Sequence, residues 1–461
     1  MHMNNEINSD LNRRDFISGG SFATLMMLMG GVPLHAADDQ SVVNADGSTN
    51  YKAEAAPVNV GIIGCGLWAR EILKTLALLP NAPVVALCEP YPAYLKRAVA
   101  LAPQAAKYKD HQELLADKNV EAVIVCTPTH LHREIVIEAL KAGKHVYCEA
   151  PLCTTVEDLA AMAKAVKEYP KLNFQPGLQS RADKQIYSLY DWRIKPGNLG
   201  KPLMGRMQYN KKQSWRIASP NVDRETEINW RLDKSLSLGL PGEIGIHQID
   251  LANWFVNALP VAITGFGSLV HWTDGRDVAD TVRVMIEYPG GVSVSFESTI
   301  GNSFEGELEV LYGTDSAIMM RERKAWMFKE ADAPVLGWEV YSKREEFYRE
   351  SGLVLGAGAT KQESRKVDRF EVADAKSPLQ YSLEAFLVNS HNLSAGVKDF
   401  IETYGDGDDD ALLEYLKDQA KNRVVAPGLR DGFQATLTAI KANEAVTKGQ
   451  RIVCAPEGFE V

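Results

Sequence analysis

One stretch decides the fold of this chain: Val58-Asn59-Val60-Gly61-Ile62-Ile63-Gly64-Cys65-Gly66-Leu67-Trp68-Ala69. A β-branched run of strand length is followed at once by glycines spaced as G-x-G-x-x-A, and then by a helical pattern. The first glycine permits a tight turn, and the second lets the backbone approach a pyrophosphate. The following helix N-terminus offers unpaired N–H groups to the phosphates. The stretch therefore predicts the opening βα unit of a dinucleotide-binding sheet.

The segments that follow repeat this alternation of strand and helix. Apolar strands are predicted at 83–88, 122–126 and 145–148, with helical patterns between them. Alternating strands and helices imply a parallel doubly wound sheet, in which ligands lie beyond the carboxyl ends of the strands. We therefore expect an N-terminal Rossmann domain over residues 57–175.

An acidic residue at the end of the second predicted strand indicates the cofactor. Glu89 stands about 20 residues past the glycines, where a carboxylate accepts hydrogen bonds from the ribose hydroxyls of NAD. A carboxylate there disfavours a 2′-phosphate, whereas the nearby Lys96 and Arg97 leave NADP open. The sequence predicts NAD, with NADP as the alternative.

The second half of the chain has a different pattern. Strands are predicted at 203–209, 261–270, 281–288, 291–299 and 306–312, and Tyr288-Pro289-Gly290-Gly291-Val292 is typical of a hairpin turn. Adjacent strands joined by hairpins imply a large, mostly antiparallel sheet. We expect an α+β substrate-binding domain over 176–424 and a C-terminal segment over 425–461 that contains a helix at 432–448.

A polar stripe marks one predicted helix of the second domain. The helix runs from Leu240 to about Asn257, and Glu243, His247, Asp250 and Trp254 fall on one side of it at 3.6 residues per turn. Apolar residues flank this stripe on both sides, which is unusual for a surface helix. We infer that the polar groups face a cavity; a buried, satisfied His–carboxylate pair is the alternative.

Several stretches together resemble the glucose-fructose oxidoreductase, inositol dehydrogenase and MocA (Gfo/Idh/MocA) family. They are Gly64-Cys65-Gly66, Cys126-Thr127-Pro128-Thr129-His130-Leu131-His132, the run from Ala142 to Pro151, Gln179-Ser180-Arg181 and the run from Gly242 to Asp250. The resemblance implies tightly held NAD(P), a sugar, inositol or polyol substrate, and a last helix that packs back on the first domain. It places the cofactor against Gly64, Gly66, Leu67, Trp68, Glu89, Thr127, Pro128, His132, Glu149 and Gln179.

The resemblance also implies a mechanism. His247 accepts the proton of a sugar hydroxyl while its hydride passes to the nicotinamide, because an imidazole titrates near working pH. Glu243 orients the ring or stabilises its charge, and Glu149 holds the nicotinamide ribose. Homo-oligomers are a further expectation from the family.

Substrate contacts are predicted at Arg181, Trp215, Trp230 and Asp250. Aromatic and arginine side chains suit the faces and hydroxyls of sugars. The alternatives are that the tryptophans anchor loops and that Arg181 only pairs with an acid.

One departure from the family pattern leaves the chemistry open. The family usually has Glu-Lys-Pro where this chain has Glu149-Ala150-Pro151, and Ala150 cannot replace an ammonium group. Lys211 or Lys212 is a candidate to fill this gap. Three functions remain: a sugar oxidoreductase, a redox-neutral glycosidase or lyase that oxidises, eliminates and re-reduces, and a non-catalytic sugar or dinucleotide sensor.

The N-terminus resembles a twin-arginine export signal. Arg13-Arg14 precede Phe16-Ile17, and a weakly apolar stretch over 18–34 ends at the small residues of His35-Ala36-Ala37-Asp38. We expect a signal peptide over 1–37, a linker over 38–56, the twin-arginine export machinery as a partner, and a periplasmic or otherwise exported protein.

Composition narrows the remaining classes. The 461 residues carry a formal net charge of −10 and no Lys/Arg-rich run, which disfavours nucleic-acid binding. Beyond the N-terminus no stretch reaches about 18 uninterrupted apolar residues, so no stable membrane span is expected.

The six cysteines form no CxxC pair and are expected to be small buried side chains. The acidic run 406–410 lacks the glycine and glutamate of a calcium loop, so a solvated loop and no metal site are predicted.

Overall fold

The computed structural model describes residues 42–43, 49–50, 55–219, 222–321, 324–337 and 376–461. The chain divides into two compact units, Met1–Lys52 and Ala53–Val461. In the first unit, Val42–Val43 pairs antiparallel with Thr49–Asn50, within the predicted linker. The predicted signal peptide, 1–37, lies outside the described residues.

The second unit begins with a six-stranded, fully parallel sheet, which confirms the predicted Rossmann domain. Its strands are β1 Val60–Ile63, β2 Val84–Cys88, β3 Ala106–Tyr108, β4 Ala122–Val125, β5 His145–Cys148 and β6 Phe174–Pro176. They lie in the order β3-β2-β1-β4-β5-β6, which is the arrangement of dinucleotide-binding sheets. The connecting helices are α1 Leu67–Leu76, α2 Pro92–Val99, α3 His111–Ala116, α4 His132–Lys141 and α5 Val156–Glu168.

An eight-stranded sheet forms the second domain and confirms the predicted, mostly antiparallel arrangement. Its strands are β7 Pro202–Asn210, β8 Ala262–Ser268, β9 Thr281–Glu287, β10 Ser293–Thr299, β11 Glu307–Gly313, β12 Ser316–Arg321, β13 Lys324–Lys329 and β14 Ile452–Val453. The order is β13-β12-β11-β7-β10-β9-β8-β14, and only β7 and β10 pair in parallel. The predicted hairpin turn joins β9 to β10, with positive φ at Gly290 and Gly291.

Seven further α-helices follow the Rossmann strands in the described residues. They are α6 Lys184–Leu189, α7 Glu225–Ile228, α8 Gly239–Glu243, α9 Ile246–Val256, α10 Pro378–Tyr404, α11 Asp409–Gln419 and α12 Leu429–Lys448. None of the helices in the described ranges combines the length and the apolar character that a bilayer crossing requires.

The predicted continuous helix from Leu240 to Asn257 is wrong, because the chain breaks between α8 and α9. A Cβ on Gly245 would lie 2.6 Å from the Phe296 ring and 2.7 Å from the Pro241 carbonyl oxygen. Only glycine permits this close approach to β10. Glu243 therefore ends one helix, His247 lies in the first turn of the next, and the single polar stripe does not exist.

Helix α10 belongs with the Rossmann domain, which corrects the predicted boundary at residue 424. Leu383, Phe386 and Leu387 are fully buried in the same cluster as the strands β1 and β4. The Ser382 carbonyl and hydroxyl oxygens accept hydrogen bonds from the Gln175 side chain at 2.8 and 3.2 Å. Helix α10 thus completes the first domain rather than the second.

Helix α12 contacts both domains. A Cβ on Gly432 would lie 2.8 Å from the Pro176 side chain, and Thr436 accepts the N–H of Leu152 at 3.1 Å. On the other domain, Asn253 of α9 donates to Thr438 at 3.1 Å. The helix therefore holds the two domains against one another.

Two smaller predictions concern the acidic run and the cysteines. Residues 406–408 form an exposed loop, as predicted, and Asp408 caps α11 by accepting the N–H of Ala411 at 2.9 Å, so Asp409 and Asp410 lie in the first turn of that helix. All six cysteines lie in the described ranges, none forms a disulfide, and five are buried. No group of three potential metal ligands comes together among the described residues.

Candidate active site

A cavity of about 1030 Å³ lies between the two domains. The Rossmann side of the cavity is formed at the carboxyl ends of its strands by Gly64, Gly66, Leu67, Trp68, Glu89, Thr127 and Pro128. The opposite side comes from residues 211–231 and includes Lys211, Gln213, Ile217, Arg224, Trp230 and Arg231. Eight of the predicted site residues, Trp230 among them, therefore line one space.

The glycine turn fits a dinucleotide. Gly64 has a φ of 87°, and a Cβ there would lie 2.8 Å from the Cys126 carbonyl oxygen. A Cβ on Gly66 would meet nothing within 4 Å, because it would project into open space. No side chain caps the N-terminus of α1, so its first N–H groups are available to phosphate oxygens.

Glu89 connects the end of β2 to the glycine turn. Its two carboxylate oxygens accept the backbone N–H groups of Cys65 at 2.8 Å and Tyr91 at 2.9 Å. Burial raises the pKa of Glu89, while these hydrogen bonds and the Arg224 guanidinium oppose the rise. The predicted ribose ligand thus also fixes the turn that receives the phosphates.

Thr127 and His132 have different roles. Thr127 lines the cavity, and its buried hydroxyl oxygen has no partner among the described residues, so it fits a polar ligand atom. His132 is buried outside the lining set, and its ring nitrogens lie 2.9 Å from the Thr127 carbonyl and 3.0 Å from the Pro151 carbonyl. Burial lowers the pKa of His132 to about 4, so the neutral ring donates to one carbonyl only. His132 therefore positions these two loops, and its role as a cofactor ligand stays a prediction.

Glu149 lies beneath the cavity, against Trp68. Burial raises its pKa to about 7, and hydrogen bonds from the Trp68 indole and the Ala150 N–H oppose this rise. One carboxyl oxygen has no hydrogen-bond partner in the part of the chain that the structure describes. A Cβ on Gly177 would lie 2.8 Å from the other oxygen, so glycine is needed there to leave room for the carboxyl group.

His247 and Glu243 do not form the predicted pair. Burial lowers the pKa of His247 to about 4, which leaves a neutral imidazole at neutral pH. Glu243 instead accepts the Thr129 hydroxyl at 3.3 Å and lies 3.7 Å from Arg231. Burial raises the pKa of Glu243, and Arg231 opposes the rise. Glu243 therefore contacts Arg231, a lining residue of the cavity, and no hydrogen bond joins it to the His247 ring among the described residues; its catalytic role stays a prediction.

Arg181 and Asp250 form a buried ion pair. This arrangement agrees with the alternative prediction that Arg181 pairs with an acid. Arg181 donates to Asp250 through Nε and Nη2 at 2.9 Å, and its Nη1 lies 2.7 Å from Asp431. The guanidinium also lies 5.0 Å from the centre of the Trp254 ring. Both groups are paired within the protein, which fits the alternative of a structural role, and their prediction as substrate ligands stays a prediction.

The remaining two predicted residues lie outside the set that lines the cavity. Trp215 packs partly buried against the main hydrophobic core, as the loop-anchor alternative stated. Gln179 lies in the single turn Gln179–Arg181 after β6.

Sequence reasoning missed three residues of the cavity. The buried Nδ1 of His130 has no partner among the described residues, and its ring meets Trp230 edge-on at 5.9 Å. Burial lowers the pKa of His130, so its ring is neutral. Arg224 lies 4.7 Å over the ring of Tyr91 across the cavity. His130 was visible within the quoted motif, whereas no sequence signal connects Arg224 with Tyr91.

Comparisons with known proteins agree with this fold. Residues 58–177 match the family model "Oxidoreductase family, NAD-binding Rossmann fold", and residues 192–318 match "GFO/IDH/MocA C-terminal domain". The Rossmann domain is therefore an NAD-binding domain. A solved structure of levoglucosan dehydrogenase in complex with NADH and levoglucosan has a TM-score of 0.60 at 22% identity and covers 87% of this chain and 100% of that one.

Curated relatives are similar over the same region. Inositol 2-dehydrogenase of Salmonella typhimurium is 30% identical over 248 residues, which are 52% of this chain and 66% of the relative, just under two thirds of its length. Levoglucosan dehydrogenase of Pseudarthrobacter phenanthrenivorans is 31% identical, over 52% of this chain and 67% of the relative. The 2,7-anhydro-N-acetylneuraminate hydratase of Escherichia coli is 26% identical, over 57% and 67%.

Proposed function

Because the chain belongs to the Gfo/Idh/MocA family of NAD-binding oxidoreductases, we propose that it transfers hydride between a ring CH–OH of a sugar or sugar derivative and a tightly bound nicotinamide. One observation carries this proposal: the cavity has an NAD-binding surface on one side and polar and aromatic residues of the second domain on the other. Trp230 and Arg231 on that second side suit the face and the hydroxyl groups of a sugar.

The bound nicotinamide supplies the hydride chemistry, and the chain supplies position and proton transfer. His247 remains the proposed proton acceptor because of its position in the sequence motif, and burial keeps its imidazole neutral at neutral pH, although the residue does not belong to the set that lines the cavity. Lys211 lines the cavity and Lys212 does not, so Lys211 is the better candidate for the ammonium group that Ala150 lacks. Thr127 is the proposed ligand for a polar group of the nucleotide.

Ala150 favours a second candidate function. A chain without the usual lysine is compatible with redox-neutral chemistry, in which a sugar is hydrated, cleaved or eliminated without net oxidation. The relative named as a hydratase supports this alternative. A non-catalytic sugar or dinucleotide sensor is the third reading, and it needs no proton acceptor at all.

The export of the protein is also part of the proposal. The arginine pair at 13–14 and the apolar stretch after it support a twin-arginine signal and a periplasmic location. Loss of export in a fusion whose two arginines are replaced by lysines would support it, and unchanged export would contradict it. Assembly as a homo-oligomer stays a prediction.

One experiment separates the candidate functions. The purified protein is incubated with a panel of inositols, sugars and chromogenic glycosides without added NAD, and bound NADH and released aglycone are recorded together. The oxidoreductase accumulates bound NADH with the glycoside intact, whereas the redox-neutral enzyme releases aglycone with no net NADH. Binding of a sugar that gives neither signal and is recovered unchanged would identify a sensor and contradict both catalytic proposals.

Two matched variants test the proton acceptor. His247→Asn is expected to abolish turnover while NADH still binds, and His391→Asn, on the long helix α10, serves as the control. Unchanged turnover in His247→Asn would remove this residue from the mechanism.

A further inference from the structure

A contact between the two domains lies on the cavity itself. Arg224, from the second domain, and Tyr91, from the Rossmann domain, both line the cavity, and the guanidinium lies 4.7 Å from the centre of the tyrosine ring. Because the two residues come from opposite sides of the cavity, their contact closes the cavity at that point.

Both partners are held in place by their neighbours. The Tyr91 N–H donates to Glu89 at 2.9 Å, and the Tyr91 ring meets Tyr94 edge-on at 5.0 Å. Nε of Arg224 donates to Glu227 at 3.0 Å, and Glu227 lines the same cavity. Neighbouring residues therefore fix the positions of both partners of the contact.

The contact lies at the ribose end of the dinucleotide site. Tyr91 follows two residues after Glu89, whose position at the end of β2 is that of the ribose-binding acid. The Arg224 charge is also close enough to oppose the rise in the pKa of Glu89.

We propose that the Arg224–Tyr91 contact retains the dinucleotide, and that the nucleotide enters and leaves by opening this contact. The proposal rests on the NAD-binding domain and is independent of which sugar chemistry follows. Because the contact closes the cavity with or without a ligand, removing it accelerates both entry and release. A partly exposed cation–π contact corresponds to a factor of about two to five.

The test is stopped-flow measurement of NADH association and release, followed by energy transfer from tryptophan to NADH. Arg224→Ala and Tyr91→Leu are each expected to raise both rates about two- to fivefold with little change in Kd. Tyr91→Phe keeps the ring face and is expected to behave as wild type. Arg283→Ala is the control, because it removes an exposed arginine that pairs with Glu297 outside the cavity.

Four results would overturn the proposal. If Arg224→Ala raises only the release rate, Arg224 is a direct ligand contact instead. If neither Arg224→Ala nor Tyr91→Leu changes a rate, or if Tyr91→Phe accelerates binding as much as Tyr91→Leu, the ring–guanidinium contact does not retain the nucleotide. A nucleotide-free preparation of the wild type that takes up no NADH overturns the cofactor and this proposal together, whereas normal wild-type binding with unchanged variants overturns this proposal alone.

Discussion

Two neighbouring glycines are expected to respond differently to the same substitution. In Gly64→Ala the new methyl group occupies a residue with a φ of 87° and lies 2.8 Å from the Cys126 carbonyl oxygen. The left-handed backbone costs about 1–2 kcal/mol and the overpacking about as much again, so we expect a loss of about 2–4 kcal/mol in the free energy of unfolding.

Gly66→Ala is the matched variant. Its methyl group meets no protein atom within 4 Å, and the residue caps α1 with an ordinary extended backbone. We expect a stability loss of at most about 1 kcal/mol, from the poorer cap. The same methyl group projects where a pyrophosphate approaches the backbone, so NADH should bind at least about tenfold more weakly, or about 1.4 kcal/mol.

Denaturant unfolding and NADH titration, each on both variants, check this pair. Equal stability of Gly64→Ala and Gly66→Ala would refute the conformational argument for the first glycine. Wild-type affinity for NADH in Gly66→Ala would refute the placement of the phosphates at the α1 N-terminus, whatever the stabilities are.

Three further outcomes are expected. Burial, and then repulsion by Glu307, raises the pKa of Glu309 to about 8, so the wild type loses stability as the pH rises from about 4.5 to about 8. The stabilisation by Glu309→Gln, measured as the difference between the two melting temperatures, should therefore grow over that pH range. A difference that does not depend on pH would contradict this prediction. Arg181→Ala leaves Asp250 charged and buried without its partner, so it should cost about 3–5 kcal/mol in chemical unfolding; a variant of normal stability with only a raised KM would instead make Arg181 a substrate ligand. The six free thiols should react slowly in the native protein and all together in denaturant without a reductant, and fewer than six reactive thiols per denatured chain would reveal a disulfide.

The parts of the fold that the sequence predicted correctly depend on neighbours in the chain. Strand β1, the turn at Gly64 and helix α1 depend only on residues 58–76. The spacing of apolar and small residues within that stretch is enough to predict them. The hairpin between β9 and β10 is local in the same sense, because its two glycines at positive φ stand between two alternating strands.

The errors concern contacts between distant residues. Gly245, between α8 and α9, packs against Phe296 on a strand that follows much later, and the periodicity within 240–257 carries no information about that contact. The charged groups of Arg181, Asp250 and Asp431 satisfy one another across three elements. The polar residues predicted at 243–254 were interpreted as facing a cavity, whereas Asp250 among them pairs with Arg181 of the same chain.

Helix α10 has a consequence for how this protein is made. A ribosome releases the six strands of the NAD-binding sheet long before Leu383 and Phe386, which cover one apolar face of that sheet. Until synthesis passes residue 404, α1 and α2 cover this face without α10, so part of its apolar surface stays exposed and favours aggregation. The first domain can therefore complete its folding only near the end of translation, when α10 becomes available. A fragment of residues 57–175 expressed alone should be insoluble, because it lacks α10.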